Sequence, residues 1–352
     1  MKNEEKVEPK MPLSASRIKT CETCSWLFYA KYILGIPDKS NDGASKGSVT
    51  HLVMELLGDK EKRGHYFEKI IKAQDVDVCP SISRLIYSYA KKLGVHSDEN
   101  IFDIKQMCLA GLNYDFYAES DRLTEGFSEI GFNITKNEGG KFYKIRGFLD
   151  KLFLYDNGRL ALIRDFKTSK KVYVGKEISD NIQHFIYSLA ARELFPQIEQ
   201  SRTEFLFLKH GMSQKDSSGV ITIDLFDNDI LDGFEYELTN WQILLDSFCL
   251  RNAYADMACY KDYPKDGSFG GPLSCGFAKS PNQLKKDGTP MWYCPAKFAF
   301  DFYKIKKIDS GETVATCFLE DKPKLREKYP KDSYFFEWAV YSGCPHYCRC
   351  NY

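Results

Sequence analysis

The sequence predicts an α/β fold in which a mixed central sheet is flanked by helices. Three observations predict it. Residues 127–168 alternate apolar and polar side chains around two turn signals, the period of half-buried strands. "SDNIQHFIYSLAARELFP" follows with helical spacing and stops at Pro196. "TEFLFLKHG" then supplies a further apolar strand, so strands and helices alternate around one core.

The elements follow in order. Residues 1–12 are charged and predicted to be a disordered lead. "PLSASRIKTCETCSWLFYAKYILGI" predicts a helix capped by Ser14 or Ser16 and packed through Ile18, Trp26, Phe28, Tyr29 and Tyr32. "GIPDKSNDGAS" is a loop by composition, and "KGSVTHLVMELLGDK" begins a second helix. Residues 64–125 are predicted to be a mainly helical insertion. The alternating region breaks at Gly139-Gly140 and at Asp156-Asn157-Gly158, which predicts an antiparallel three-strand meander. After "VITIDLF", a helical pattern runs over 229–260 and ends before Pro264. Residues 262–352 are rich in Gly, Pro, Cys and aromatics, and predict an irregular C-terminal region held by something other than a large core. The expected division is 1–12, 13–210 and 211–352.

Composition narrows the function classes. No apolar run approaches the roughly 18 residues of a membrane span. "MKNEEKVEPK" lacks the apolar stretch of a secretory signal, so a cytoplasmic protein with no membrane partner is expected. Lys+Arg and Asp+Glu both number 49, which removes bulk basicity as an argument for nucleic-acid binding. A local groove needs only a few placed cations. In a cytosolic chain the 12 cysteines are not expected to form a disulfide framework. Cys79, Cys108 and Cys249 are isolated and read as small core residues, whereas Cys21-x-x-Cys24 and "GCPHYCRC" are dense enough to need another explanation.

Four features with chemical meaning recur in one order: Gly47-x-x-x-His51, Gly147-x-x-Asp150, Asp165-x-Lys167 and Gln183-x-x-x-Tyr187. A tight turn at 156–158 brings Asp150 close to residue 165 on the next strand. Cross-strand neighbours lie about 5 Å apart. Two carboxylates that close are costly without a cation between them. Oxygen ligands suit Mg²⁺ or Mn²⁺, and the His51 imidazole favours tolerance of Mn²⁺. Lys167 follows Asp165 by two residues and shares its face, where a lysine can orient an attacking water or stabilise charge on a phosphorane. Each piece alone has a plain reading: a solvated strand end, a hydrogen-bonded helix histidine, a polar helix face. The ordered set outweighs them.

This set resembles the RecB-like branch of the PD-(D/E)XK nuclease superfamily, and "LSASRIKTCETC" resembles that branch's leading helix. The likeness covers residues 13–210 and implies a restriction-endonuclease-like core, with 211–352 as an extension. It implies that His51, Asp150 and Asp165 bind Mg²⁺ or Mn²⁺ with the Phe166 carbonyl, and that Lys167 is the catalytic lysine. Gln183 and Tyr187 would contact DNA or position the site. Relatives of the AddB and CRISPR-adaptation types hold an iron–sulfur cluster, which implies that Cys24 with Cys344, Cys348 and Cys350 hold a 4Fe–4S cluster. The spacing of the last three departs from the usual pattern. Cys275 and Cys294 are rivals, a four-cysteine Zn²⁺ site fits the same residues, and packed free thiols are the bland alternative.

The expected function is a metal-dependent DNA exonuclease acting on single strands or ends, in recombination, repair or replication, in a bacterial or virus-infected cell. The alternatives are a CRISPR-adaptation-like nuclease and an inactive DNA-binding or assembly subunit. Trp292 and Tyr293 are candidates to stack on bases. The chain has no G-x-x-x-x-G-K-[ST] loop, so a helicase or recombination partner would be a separate protein.

Overall fold

The computed structural model describes residues 8–38, 42–213, 215–225, 228–254 and 294–345. Two compact units are present, one drawn from residues 1–15 and 40–243, the other from 16–39 and 244–352.

The leading segment is helical, as its apolar spacing predicts, but it is interrupted. Helix α1 (Ala15–Thr23) buries Ile18 and Cys21. Cys24 then adopts extended backbone before α2 (Ser25–Phe28) and a π turn over Tyr29–Ile33. Ahead of them, the lead is ordered from residue 8. Leu13 is fully buried and bridges Ile145.

In the first unit, α3 (Asp42–Gly58) buries Val49, Val53, Met54 and Leu57, the stripe of a helix lying on a sheet. The insertion is helical, with α4 (Lys60–Ala73), α5 (Pro80–Lys92) and α6 (Asp98–Asn113). Their starts are chemically marked. Asp59 and Ser97 accept from the third amide of their helices, and α5 begins on Pro80. Ile70, Ile86, Ile104 and Met107 join the α3 stripe and Phe166 in one apolar core.

The meander is present. Strands β1 (Leu123–Glu138), β2 (Lys141–Tyr155) and β3 (Leu160–Lys167) run antiparallel. Both turns use left-handed residues, Gly139-Gly140 and Asp156-Asn157-Gly158. After the short α7 (Lys176–Ser179), α8 (Ile182–Leu194) is the crossover that lets β4 (Gln200–Phe207) pair parallel to β3. Strand β5 (Val220–Leu225) closes the sheet in the order β1-β2-β3-β4-β5.

The first half of β2 extends beyond its partner β3, which would leave an open edge. Leu13 and helix α9 (Asn228–Asp246) cover it. Leu13 exchanges backbone hydrogen bonds with Lys144 and Arg146, and Thr239 Oγ1 and Gln242 Oε1 accept from the amides of Phe142 and Lys144. The helix expected over 229–260 ends at Asp246, earlier than its pattern predicts. Asn252 there turns back onto the amide of Cys249, starting a separate 3-10 turn at Leu250–Asn252.

The second unit corrects the expectation of an irregular C-terminal region. Strands β6 (Phe300–Lys307), β7 (Thr313–Phe318) and β8 (Tyr334–Tyr341) form an antiparallel sheet of order β7-β6-β8. Phe302 and Ile305 are buried, so the aromatics are strand residues and not loop anchors. Trp26 Nε1 donates to Tyr341 Oη at 2.8 Å, which donates to the Ala296 carbonyl, and Phe28 meets Phe248 edge-on.

Candidate active site

The site forms where β1, β2 and β3 lie side by side between α3 and α8. The turn at 156–158 pairs Tyr155 with Leu160 and Lys151 with Arg164. One step further along that register, Asp150 faces Asp165. Phe166 Nα donates to Asp150 Oδ2 at 2.8 Å, locking the two strand ends together. Lys167 lies on the Asp165 side, with Nζ 2.7 Å from Asp165 Oδ2. Phe166 points the other way, into the core with α3 and α6.

The glycines of the motifs are there for close approach. A methyl group on Gly47 would stand 2.7 Å from Thr168 Oγ1, so only glycine lets α3 sit against the end of β3. That contact brings His51, one turn later, to Asp150, with Nδ1 3.3 Å from Oδ1. A methyl on Gly147 would stand 2.7 Å from the Phe132 ring, which lies over it and meets Tyr187 edge-on.

Helix α8 completes the site. Asn181 caps its start by accepting from His184 Nα. Gln183 and Tyr187, one turn apart, both face Asp165. Gln183 Nε2 donates to Asp165 Oδ1 at 2.8 Å and to Tyr187 Oη, Tyr187 Oη donates to Asp165 Oδ1 at 3.0 Å, and Lys167 Nζ donates to Gln183 Oε1 at 2.7 Å. Asp165 Oδ2 is buried and receives no hydrogen bond; the Lys167 ammonium is close to it without hydrogen-bond alignment.

The electrostatics have one sign. Burial pushes the Asp165 carboxyl above its usual range, and although Lys167 opposes this, Asp150 adds to it. Burial works against charge on Lys167, but Asp165 more than restores it and raises the amine. Burial likewise opposes charge on His51, yet the hydrogen bond and charge of Asp150 raise it to about 9. Burial raises Tyr187 well above its ordinary value, aided by Asp165 and Asp150. Groups of both types hold their protons more tightly than usual, which is the behaviour of a pocket with excess negative potential.

Two acids that the motifs do not name belong to this potential. Glu129 on β1 is pushed up to about 7, by burial and then by Asp150 and Glu55. Glu55 lies one turn beyond His51 on α3. The signal for Glu129 was available: counting outward from the Gly139-Gly140 turn places it opposite Asp150. Tyr173, whose phenol is raised by burial and packs against Phe205 and Phe207 beside Lys167, carried no motif signal.

Among the described residues no group of three or more His, Cys, Asp or Glu is already arranged as a metal-ligand set. The active-site donors nonetheless fit a hard divalent cation. Asp165 Oδ2 is an orphaned buried carboxylate oxygen, and a second carboxylate and an imidazole stand beside it. The cysteine candidates divide. Cys24, Cys294 and Cys344 meet at one apolar cluster in the second unit, with Cys24 Sγ 3.7 Å from the Tyr254 carbonyl. Cys275, Cys348, Cys350, Trp292 and Tyr293 lie outside the described residues.

Comparison with known proteins gives one family. Residues 12–266 match the PD-(D/E)XK nuclease superfamily. Among the curated proteins nothing matches. Of the solved structures, "Crystal structure of SSO0001" is similar at 18% identity and TM-score 0.24, over 56% of this chain and 74% of that one. "Crystal structure of protein VC1899 from Vibrio cholerae" is similar at 12% identity and TM-score 0.22, over 56% and 57%. Likeness at these scores has no bearing on the chemistry.

Proposed function

The chain belongs to the PD-(D/E)XK nuclease superfamily, and on that premise we propose that it is a metal-dependent deoxyribonuclease of the RecB-like branch, acting as an exonuclease on single-stranded DNA or DNA ends. One observation carries the reading: Asp150 and Asp165 stand at matching register on adjacent strands, with Lys167 beside a buried carboxylate oxygen that no donor satisfies. Asp150, Asp165 and His51 are the residues that would hold Mg²⁺ or Mn²⁺, with the Phe166 carbonyl as a further oxygen. When bound, such an ion supplies Lewis-acid stabilisation of charge developing on the phosphate.

The protein's own groups have defined parts. Lys167 keeps its proton here, so it serves as a donor and positive charge at the scissile phosphate rather than as a general base. Gln183 accepts from Lys167 and donates to Asp165, fixing the distance between them. Tyr187 stays protonated and holds Asp165 Oδ1 from the α8 side. To test this, labelled single- and double-stranded DNA is incubated with purified protein and Mg²⁺ or Mn²⁺. Degradation that stops with chelator and with Lys167→Ala is expected. Equal behaviour of wild type and Lys167→Ala under every metal would sink the assignment.

The cysteine centre is part of the same proposal. Cys24 and Cys344, with Cys348 and Cys350 or the rival Cys294 and Cys275, would hold a 4Fe–4S cluster or a structural Zn²⁺ and so brace the second unit. Its support is the convergence of Cys24, Cys294 and Cys344 on one apolar cluster. Iron and zinc analysis of anaerobically purified protein distinguishes the two. Protein lacking both would leave these as packed thiols. A role in recombination, repair or replication beside a separate helicase fits an end-directed nuclease without a motor of its own.

A further inference from the structure

Glu129 is conformationally odd. It sits in the middle of the 16-residue strand β1, yet its φ is +53°, a left-handed backbone that costs a side chain other than glycine energy. The ladder between β1 and β2 keeps one register on both sides of it, Ser128 with Lys151 and Ile130 with Leu149. Glu129 is therefore the residue directly across from Asp150, and the ladder opens only at that pair.

The result is a row of carboxylates on three adjacent strands, Glu129, Asp150 and Asp165, with His51 and Glu55 one turn apart on α3. The charges of Asp150, Glu55, His51 and Asp165 all act on Glu129. An acidic row alone does not identify a cation site. The independent observation is Asp165 Oδ2, an oxygen of a side chain only 4% exposed that receives no hydrogen bond. It shows that the row is built to be completed by something other than protein donors.

Access is present on the Glu129 side. A cleft of about 570 Å³ is lined by Glu55, Ser128, Ile130 and Lys151, the residues next to Glu129 and Asp150 together with the acid beyond His51. A divalent ion such as Mg²⁺ keeps several of its waters, so it needs such an opening.

We propose that Glu129, together with Asp150 and Glu55, forms a second divalent-cation position next to the one attributed to His51, Asp150 and Asp165, with Asp150 shared between them. The inference rests on the nuclease reading of the site and adds to it a ligand that none of its motifs contains. The strained backbone has a reason in this arrangement: the left-handed turn re-aims a strand residue toward its cross-strand neighbour.

The test is direct binding of Mn²⁺. Chelator-stripped wild type, Glu129→Gln, Glu129→Gly and Asp165→Asn are titrated with Mn²⁺ and free ion is read by electron paramagnetic resonance. The titration is run without DNA and with a cleavage-resistant phosphorothioate oligonucleotide. Wild type should bind two ions, and Glu129→Gln should keep one as in wild type and weaken the other by about ten-fold or more. Glu129→Gly should lose the same ion while its melting temperature holds or rises, because glycine relieves the backbone. That opposite movement separates a ligand from a merely structural residue. If Glu129→Gln binds both ions within two-fold of wild type, the inference fails. If wild type binds one ion and Glu129→Gln still binds it, the inference fails but the nuclease reading stands. If wild type binds none and matches Asp165→Asn, both fail.

Discussion

The two faces of β2 and β3 carry charges of opposite sign and use them in opposite ways. On one face Asp150 opposes Asp165. On the other, Lys151 pairs across the strands with Arg164. Arg164 is 4% exposed but fully matched. Its Nε donates to Glu204 on β4 at 2.7 Å, and its other nitrogens reach the Asp115 carboxylate and carbonyl. Lys151 is 1% exposed, and its ammonium lies 3.6 Å from the Phe116 ring centroid. The structural face has answered its charges with protein partners and aromatic rings. The catalytic face leaves an oxygen unanswered and its acids protonation-prone. Incomplete compensation, not the presence of charge, marks the functional side.

The largest effect that tests this contrast is on stability. Arg164→Ala leaves Glu204 buried without its partner, and denaturant unfolding should show a loss of about 3–5 kcal/mol. A small loss would mean that the structural face is not a closed network. Next in size, Lys167→Ala should lower the cleavage rate by about 10²–10³-fold with little change in melting temperature. A matching collapse of stability would make Lys167 a structural residue like Arg164.

Lys151→Met should act in the other direction and with pH. Burial, helped by Arg164, depresses the Lys151 amine from 10.5 to about 7. The unfolded chain therefore binds the proton that the folded chain gives up between pH 7 and 10.5, and wild-type stability should rise across that window. Below pH 7 the buried charge costs its full amount, and there Lys151→Met should be more stable by on the order of 2 kcal/mol. Equal pH profiles for the two proteins would show that the aromatic rings hold the charged amine without penalty. The smallest effect is expected for Gly47→Ala, where the added methyl must displace Thr168 Oγ1 from 2.7 Å, costing about 1 kcal/mol. Because α3 then moves with His51, cleavage should fall several-fold; an unchanged rate would detach His51 from the site.

Much of this was legible in the chain. The meander was, because its turns are written in Gly139-Gly140 and Asp156-Asn157-Gly158, and a turn fixes every cross-strand neighbour. That is why Asp150 could be set against Asp165, and why Gln183 and Tyr187 could be put on the following helix. The same counting reaches Glu129, but an acid in an alternating strand looks like any solvent-facing position. Its left-handed φ comes from tertiary structure and has no local sequence signature. The break at Cys24 was hidden by continuous helical spacing on both sides. The sheet at 300–341 was hidden by composition, since Gly, Pro and Cys in the same region outweighed the strand alternation around Phe300 and Phe302. The helix expected to 260 stopped at Asp246 because periodicity records no stop signal there, and Asn252 supplies one from beyond its end.

The chain leaves the first unit after residue 15, returns at 40 and leaves again after 243. The segment between those first two points contributes Trp26, Phe28 and Ala30 to the second unit's interior. A premature stop near residue 243 would therefore not release a clean catalytic fragment. It would strand an aromatic stretch next to the start of the chain, with Tyr341, Phe248 and Phe302 all missing. Nature or an engineer wishing to shed the C-terminal half must first delete or rewrite residues 16–39, so the two halves are bound to be inherited together.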